Sequence, residues 1–230
     1  MKYKFTRTIV VALGGSIVHP NEIDTKFLKD FKKFLAPFLK HGIKFVFVVG
    51  GGDLARRFQG AAHNVSKLTD DDKDWIGIHA TRLNAHLLRT IFRDVADPII
   101  IDSRSKLPKL KYPVTIAAGW RPGWSTDYVA MRIAADFGVP EAVIAGKPSH
   151  VHEKDPVKYP QAKRFDEIGW KAYRKLVPAK WKPGLHAPVD PIAAALGDKD
   201  HVKAIIIDGR DMRNFRALLN GKEFQGTIVG

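Results

Sequence analysis

An apolar run that ends in three glycines constrains this chain more than any other stretch. The segment reads Phe45-Val-Phe-Val-Val-Gly-Gly-Gly-Asp-Leu-Ala-Arg56. Phe45 to Val49 is short, aromatic and β-branched, which suits a buried strand. The glycines let the backbone turn sharply and approach a ligand closely, because no Cβ intervenes. A helical pattern follows. The unpaired N–H groups of a first helical turn, with the helix dipole behind them, attract anions. Arg56 lies about one helical turn after Gly52 and can bring a planar fork of donors to the same anion. The competing reading is an ordinary strand-turn-helix corner with a surface arginine, a common feature of α/β proteins.

The rest of the chain repeats the alternation. Strands are expected at Thr8–Ala12, Lys44–Val49, Ile99–Ile101, Val114–Ala117, Glu141–Ala145 and Ala204–Ile207. Helices are expected over Asp24–Leu39, Leu54–Ala62, Asp71–Asp94, Tyr128–Phe137 and Met212–Leu219. Gly226–Val229 reads as an added edge strand. In the first helix Phe27, Leu28, Phe31, Phe34, Leu35 and Phe38 share a face, and Lys40-His-Gly42 supplies a basic last turn and a stop. Strands alternating with helices predict an α/β fold, a mainly parallel sheet covered on both faces. Ligands of such sheets collect at the carboxyl ends of the strands, where the glycine corners at Gly14 and Gly50 both fall. No repeat or low-complexity segment interrupts the pattern. Residues 147–160 and 181–188 read as irregular excursions, too short to be interdomain linkers.

Composition narrows the function classes. With 230 residues, 45% of them hydrophobic, the chain has ample length for a core. No apolar run is long enough to cross a bilayer, and the basic start Met1–Arg7 is not followed by a leader-like segment. Cysteine is absent, which excludes disulfides and thiolate metal sites and suits the cytoplasm. The net charge is +14, a balance that attracts anions. The lysines are spread along the chain and no nucleic-acid-binding signature is present, so a solvated basic surface is the simpler reading.

A second constellation is Gly119-Trp-Arg-Pro-Gly-Trp-Ser-Thr-Asp127, between a strand and a helix. Ser125 or Thr126 can cap the following helix, and Asp127 complements its dipole. The tryptophans suit a flat ligand or pack on the core. Together with Leu13-Gly-Gly-Ser16, Val49–Arg56, Asp74–Ala85, Lys154–Lys163 and Pro188–Ala194, this loop gives the chain its resemblance to uridylate (UMP) kinases of the amino acid kinase family. It is most similar to the archaeal-type branch.

The resemblance implies a single domain over 1–230 with the three-layer αβα sandwich of that family. The acceptor-binding part would span roughly 1–137 and the donor part 138–230. It implies transfer of the ATP γ-phosphoryl group to UMP, with Mg2+, in a cytoplasmic hexamer. Its alternatives are a related kinase with another phosphorylated acceptor and a non-catalytic nucleotide-binding protein. For UMP it implies Gly51, Asp74 at the ribose, and the segment Trp120, Arg121, Pro122, Gly123, Trp124, Ser125 and Thr126. For ATP it implies Gly14, Gly15, Ser16, Gly52, Gly146, His152 and Asp155. Arg56 stands near the transferred group on both counts, and Asp190 organises the site. Bare chemistry offers humbler roles: Asp74 and Asp190 as helix-terminal aspartates, Asp155 as a turn former before Pro156.

Two positions depart from the family pattern. The register that often carries a lysine on the first strand holds Ala12, so Lys180 or Lys182 is expected to supply the charge. Where the family has its nucleotide loop this chain reads Lys147-Pro-Ser-His-Val-His-Glu-Lys-Asp-Pro156, which lacks the family's Asp-Gly turn, puts His152 in place of a tyrosine and keeps Asp155-Pro156. His150 and His152 fall on one side of an extended segment, where a stacking role on adenine is expected; no third ligand accompanies them and no metal site is assigned.

Overall fold

The computed structural model describes residues 1–107, 109–180 and 187–230. In chain order it runs β1 Thr8–Leu13, α1 Gly15–Val18, α2 Thr25–Lys40, β2 Lys44–Val49, α3 Gly52–Val65, α4 Asp70–Ile91 and β3 Val114–Ala117. It continues with α5 Thr126–Asp136, β4 Glu141–Gly146, β5 Val151–His152, β6 Arg164–Phe165, β7 Glu167–Ile168 and α6 Trp170–Tyr173. The last elements are α7 Pro191–Asp200, β8 Lys203–Asp208, α8 Met212–Leu219 and β9 Thr227–Val229. The main sheet has the order β3-β2-β1-β4-β8-β9-β7. Its pairs are parallel except β8 with β9. β5 and β6 form a separate antiparallel pair.

Residue alternation along the strands builds the three layers. Ile9, Val11, Leu13, Phe45, Phe47 and Val49 point to one face, with Phe27, Phe31 and Phe34 of α2, Leu88 of α4 and Phe215 of α8. Val10, Ala12, Val46 and Val48 point to the other, with Met131 and Ile133 of α5, Trp170 of α6 and Leu196 of α7. A strand's period of two therefore feeds two cores from alternate residues of the same strands. Phe31 meets Phe47 edge-on at 5.4 Å between ring centres, and Phe34 lies 5.4 Å from Phe215, which docks α2 on its face.

Most expected elements are present with shifted ends, and two differ in kind. Ile99–Ile101 is no strand: only Ile101 bridges, to Ala117. Asp97 accepts the Ile99 N–H at 2.9 Å, so a local side chain takes a donor that a ladder needs. The C-terminal strand is interior rather than an edge, because β7 pairs on its outer side. The helix ends move for capping reasons. Thr69 and Asp72 form a capping box that starts α4 at Asp70. Ser125 is the cap of α5, accepting from Tyr128 N at 2.9 Å.

The chain places β2 and β3 on one side of β1, then β4 and β8 on the other. β1 and β4 thus flank a switch point in strand order, and loops leaving the carboxyl ends diverge there to leave a crevice.

Candidate functional site

The two glycine corners stack backbone on backbone at this crevice. Gly14 N donates to Ala145 O at 2.9 Å, and Gly50 N donates to Leu13 O at 2.9 Å. A Cβ on Gly15 would sit 2.0 Å from Gly52 N, and one on Gly50 would sit 2.4 Å from Gly15 N. Gly52 has φ +64°, in the left-handed region, and opens α3. The glycines are therefore required by loop-to-loop approach as well as by any ligand.

Helix α4 braces this junction with polar side chains on its buried face. Asn84 donates to the carbonyls of Gly50 at 2.9 Å and Gly51 at 3.0 Å. Thr81 Oγ1 accepts from Gly119 N at 2.8 Å and donates to Ile78 O at 2.6 Å. Both residues are buried, so each bond replaces water that cannot reach them. The sequence does contain their signal: two polar residues three apart on the helix face that carries Ile78, Ala85 and Leu88.

A cavity of about 660 Å³ opens above the junction. Of the residues singled out from sequence, it brings together Gly15, Ser16, Gly51, Gly52, Arg56, Asp74, Trp124, Ser125, Thr126 and Asp190. Gln59, Lys73, Thr81, Gly119, Asp127 and Lys147 join the wall without having been assigned a ligand-binding role from sequence. The N-termini of α3 and α5 contribute Gly52 and Thr126 to the wall, and the cap residue of α7 is Asp190. Three helix starts thus converge on one space, with the amides of Asp53, Tyr128, Ile192 and Ala193 already taken by His19 O, Ser125 and Asp190.

Other sequence candidates stand off the wall. Trp120 is packed in the core, donating Nε1–H to Ile101 O at 3.3 Å, so its ring cannot meet a ligand in this cavity. Arg121 lies over the Trp124 ring at 4.6 Å, and Trp124 packs on Tyr128 at 4.7 Å between ring centres. Pro122 and Gly123 are absent from the lining, although Gly123 N donates to Asp74 at 2.7 Å and so ties the loop to α4. Gly14 and Gly146 serve as backbone supports behind the wall, the latter accepting from Gly209 N at 2.8 Å. His152 pairs with Arg164 in the small β5–β6 ladder. Asp155 is exposed and makes the turn bond to Val157 N at 2.9 Å. Lys180 is exposed and off the wall. Lys182 lies outside the described residues.

Carboxylates give the cavity its electrostatic character. Asp190 accepts from Ile192 N at 2.8 Å and Ala193 N at 3.1 Å, capping α7, and it also accepts from the Ser125 hydroxyl. One contact therefore couples the starts of α5 and α7. Burial raises Asp190 above the usual carboxylate range, against these hydrogen bonds. Loss of solvent, with the Asp190 charge second, pushes Asp127 up to about 8. Asp74 is raised by burial, and its bond from Gly123 N works the other way. Arg56 is half-exposed, donating to Asp53 at 3.3 Å and Pro20 O at 3.4 Å.

A mainly parallel sheet with glycine corners and helix starts gathered on one strand-end cavity defines an α/β protein whose cavity lies at the switch point of the strand order. The chain belongs to the amino acid kinase family, whose model matches residues 7–208. It is 32% identical over 226 residues to a uridylate kinase of Methanocorpusculum labreanum, covering 96% of this chain and 95% of that one. It is also 32% identical to a uridylate kinase of Thermococcus sibiricus, over 96% and 98% of the two chains. The crystal structure of uridylate kinase from Archaeoglobus fulgidus superposes with a TM-score of 0.80, at 27% identity over 100% of both chains. The fold extends to UMP kinase of Bacillus anthracis, with a TM-score of 0.78 at 17% identity.

Proposed function

We propose that this protein transfers the γ-phosphoryl group of ATP to UMP, giving UDP and ADP. The observation that carries the reading is the convergence of two stacked glycine corners and three helix starts on one cavity whose wall also holds Arg56. UMP takes the side of Gly51, Asp74 and the Trp124–Thr126 loop. ATP takes the side of Gly15, Ser16 and Gly52, with the donor half of the chain behind it. An oxygen of the UMP phosphate attacks the γ-phosphorus, and the bond from that phosphorus to the bridging oxygen of ADP breaks. The attacking phosphate is already ionised near neutral pH, so no strong base is needed. The chain's contribution is positioning and charge stabilisation by backbone N–H groups and Arg56.

Asp127 and Asp190 offer hard oxygen donors on the wall, a chemistry that fits Mg2+. Bound there, the ion would neutralise phosphate charge. The reading extends to a cytoplasmic hexamer. An apolar groove of about 390 Å³, lined by Leu54, Leu87 and the exposed Ile23 and Leu83, supports self-association. Among the described residues no helix is long and apolar enough to cross a membrane.

The test is a coupled assay of ADP release across nucleoside monophosphates with ATP and Mg2+. UMP is expected to be the preferred acceptor with UDP as product; no UDP at saturating substrates overturns the reading. Arg56→Ala is expected to lower kcat on the order of 10²-fold with an unchanged melting temperature. Full activity in that variant would remove Arg56 from the phosphates.

A further inference from the structure

We propose that Lys147 is a phosphate-binding residue on the donor side of the cavity; the inference rests on the phosphoryl-transfer reading above. Three lysine or arginine side chains line the cavity among the described residues: Arg56, Lys73 and Lys147. Arg56 is engaged with Asp53 and Pro20 O. Lys73 pairs with Asp70 at 3.5 Å and stands beside Asp74, on the acceptor side. Lys147 has no hydrogen-bond or ion-pair partner among the described residues.

The backbone directs Lys147 to the donor phosphates. It leaves the carboxyl end of β4, next to β1 in the sheet. Two residues earlier, Ala145 O accepts from Gly14 N, and a Cβ on Gly14 would lie 3.4 Å from Gly146 Cα. The stem of Lys147 therefore starts against the first glycine corner. Pro148 follows and disfavours a helical turn at Lys147, so the chain continues extended along the rim. The end of β1 offers no cation of its own, because Ala12 is buried beneath this corner. Asp74, Asp127 and Asp190 put carboxyl groups, and no cation, on the wall. A polyphosphate entering that wall needs a cation with open donor capacity. A lysine ammonium on a flexible stem supplies one.

Lys147→Met, Lys147→Arg and, as a charge-matched control, Lys33→Met on the exposed face of α2 separate this role from bulk charge. Lys147→Met is expected to lower kcat/KM for ATP on the order of 10²-fold, with KM for UMP within about threefold of the parent. Lys147→Arg should recover most of the loss and Lys33→Met should match the parent. Calorimetric titration with a non-hydrolysable ATP analogue should show about tenfold weaker binding to Lys147→Met. Should Lys147→Met melt early, Lys147→Gln carries the same comparison. A kcat/KM for ATP within about threefold of the parent overturns the proposal, as does a defect confined to UMP. If the parent makes no UDP, the phosphoryl-transfer reading fails, and the titration alone decides Lys147: equal affinities overturn it and a tenfold loss sustains it.

Discussion

The glycine junction and the 147–163 segment leave the same end of the sheet, yet different physics holds them. At the junction, backbone meets backbone. Gly15, Gly50 and Gly52 approach so closely that any side chain would collide with main-chain atoms. Asn84 and Thr81 then fix the carbonyls and amides from behind. The 147–163 segment is mostly exposed beyond His152. It is held by a two-residue ladder, the bond from Val151 N to Thr227 at 2.9 Å and turn bonds around Asp155. The contrast predicts that substitutions are resisted at the glycines and tolerated between Glu153 and Lys163. Close packing leaves a single residue type available at the junction. A solvated loop tolerates many sequences as long as its turns close.

Gly15→Ala strikes the junction and is expected to produce the largest effect. Its Cβ would meet the Gly52 amide, and backbone cannot swing aside as a side chain does. A loss of about 3 kcal/mol is expected in urea unfolding, with activity lost in parallel. A stable, active Gly15→Ala protein would break the claim that contact, rather than conformation alone, demands glycine there.

A smaller effect is expected at Asp127, on the cavity wall between the two regions. Its carboxyl is raised from 3.8 to about 8 in the folded state. The folded protein therefore holds a proton that the unfolded chain has released across that window. The favourable contribution is fully present below pH 3.8 and declines as pH rises towards 8. Asp127→Asn removes the titration, so its melting temperature should exceed the parent's by on the order of 3 °C at pH 8. The gap should narrow towards pH 5. A constant difference across that range would show that the carboxyl is not shifted.

The smallest change is expected in the exposed loop. Asp155→Ala loses one turn bond at a solvated position, so stability should fall by about 0.5 kcal/mol or less. A loss comparable to Gly15→Ala would erase the distinction between locked junction and tolerant loop.

Local signals were legible where a single residue type has a single physical reason. The phenylalanine stripe of α2 was readable because its spacing repeats at helical period. Ser125 and Asp190 were readable as caps because an oxygen before a helix has an orphan N–H to meet. Trp120 was not, because a tryptophan in a glycine loop packs inward or faces a ligand with equal chemical sense. Lys147, Thr81 and Asn84 were also missed, since their roles depend on partners distant in sequence.

The sequence by itself determined the alternating elements, their buried faces and the glycine corners, because propensity, periodicity and steric freedom act over a few residues. Tertiary structure alone decided that the two corners touch, that Asp74 holds Gly123, and that Ser125 joins Asp190. Those pairings follow from strand order and crossover direction. They bring together loops separated by 35 to 65 residues, a distance over which no local pattern carries information.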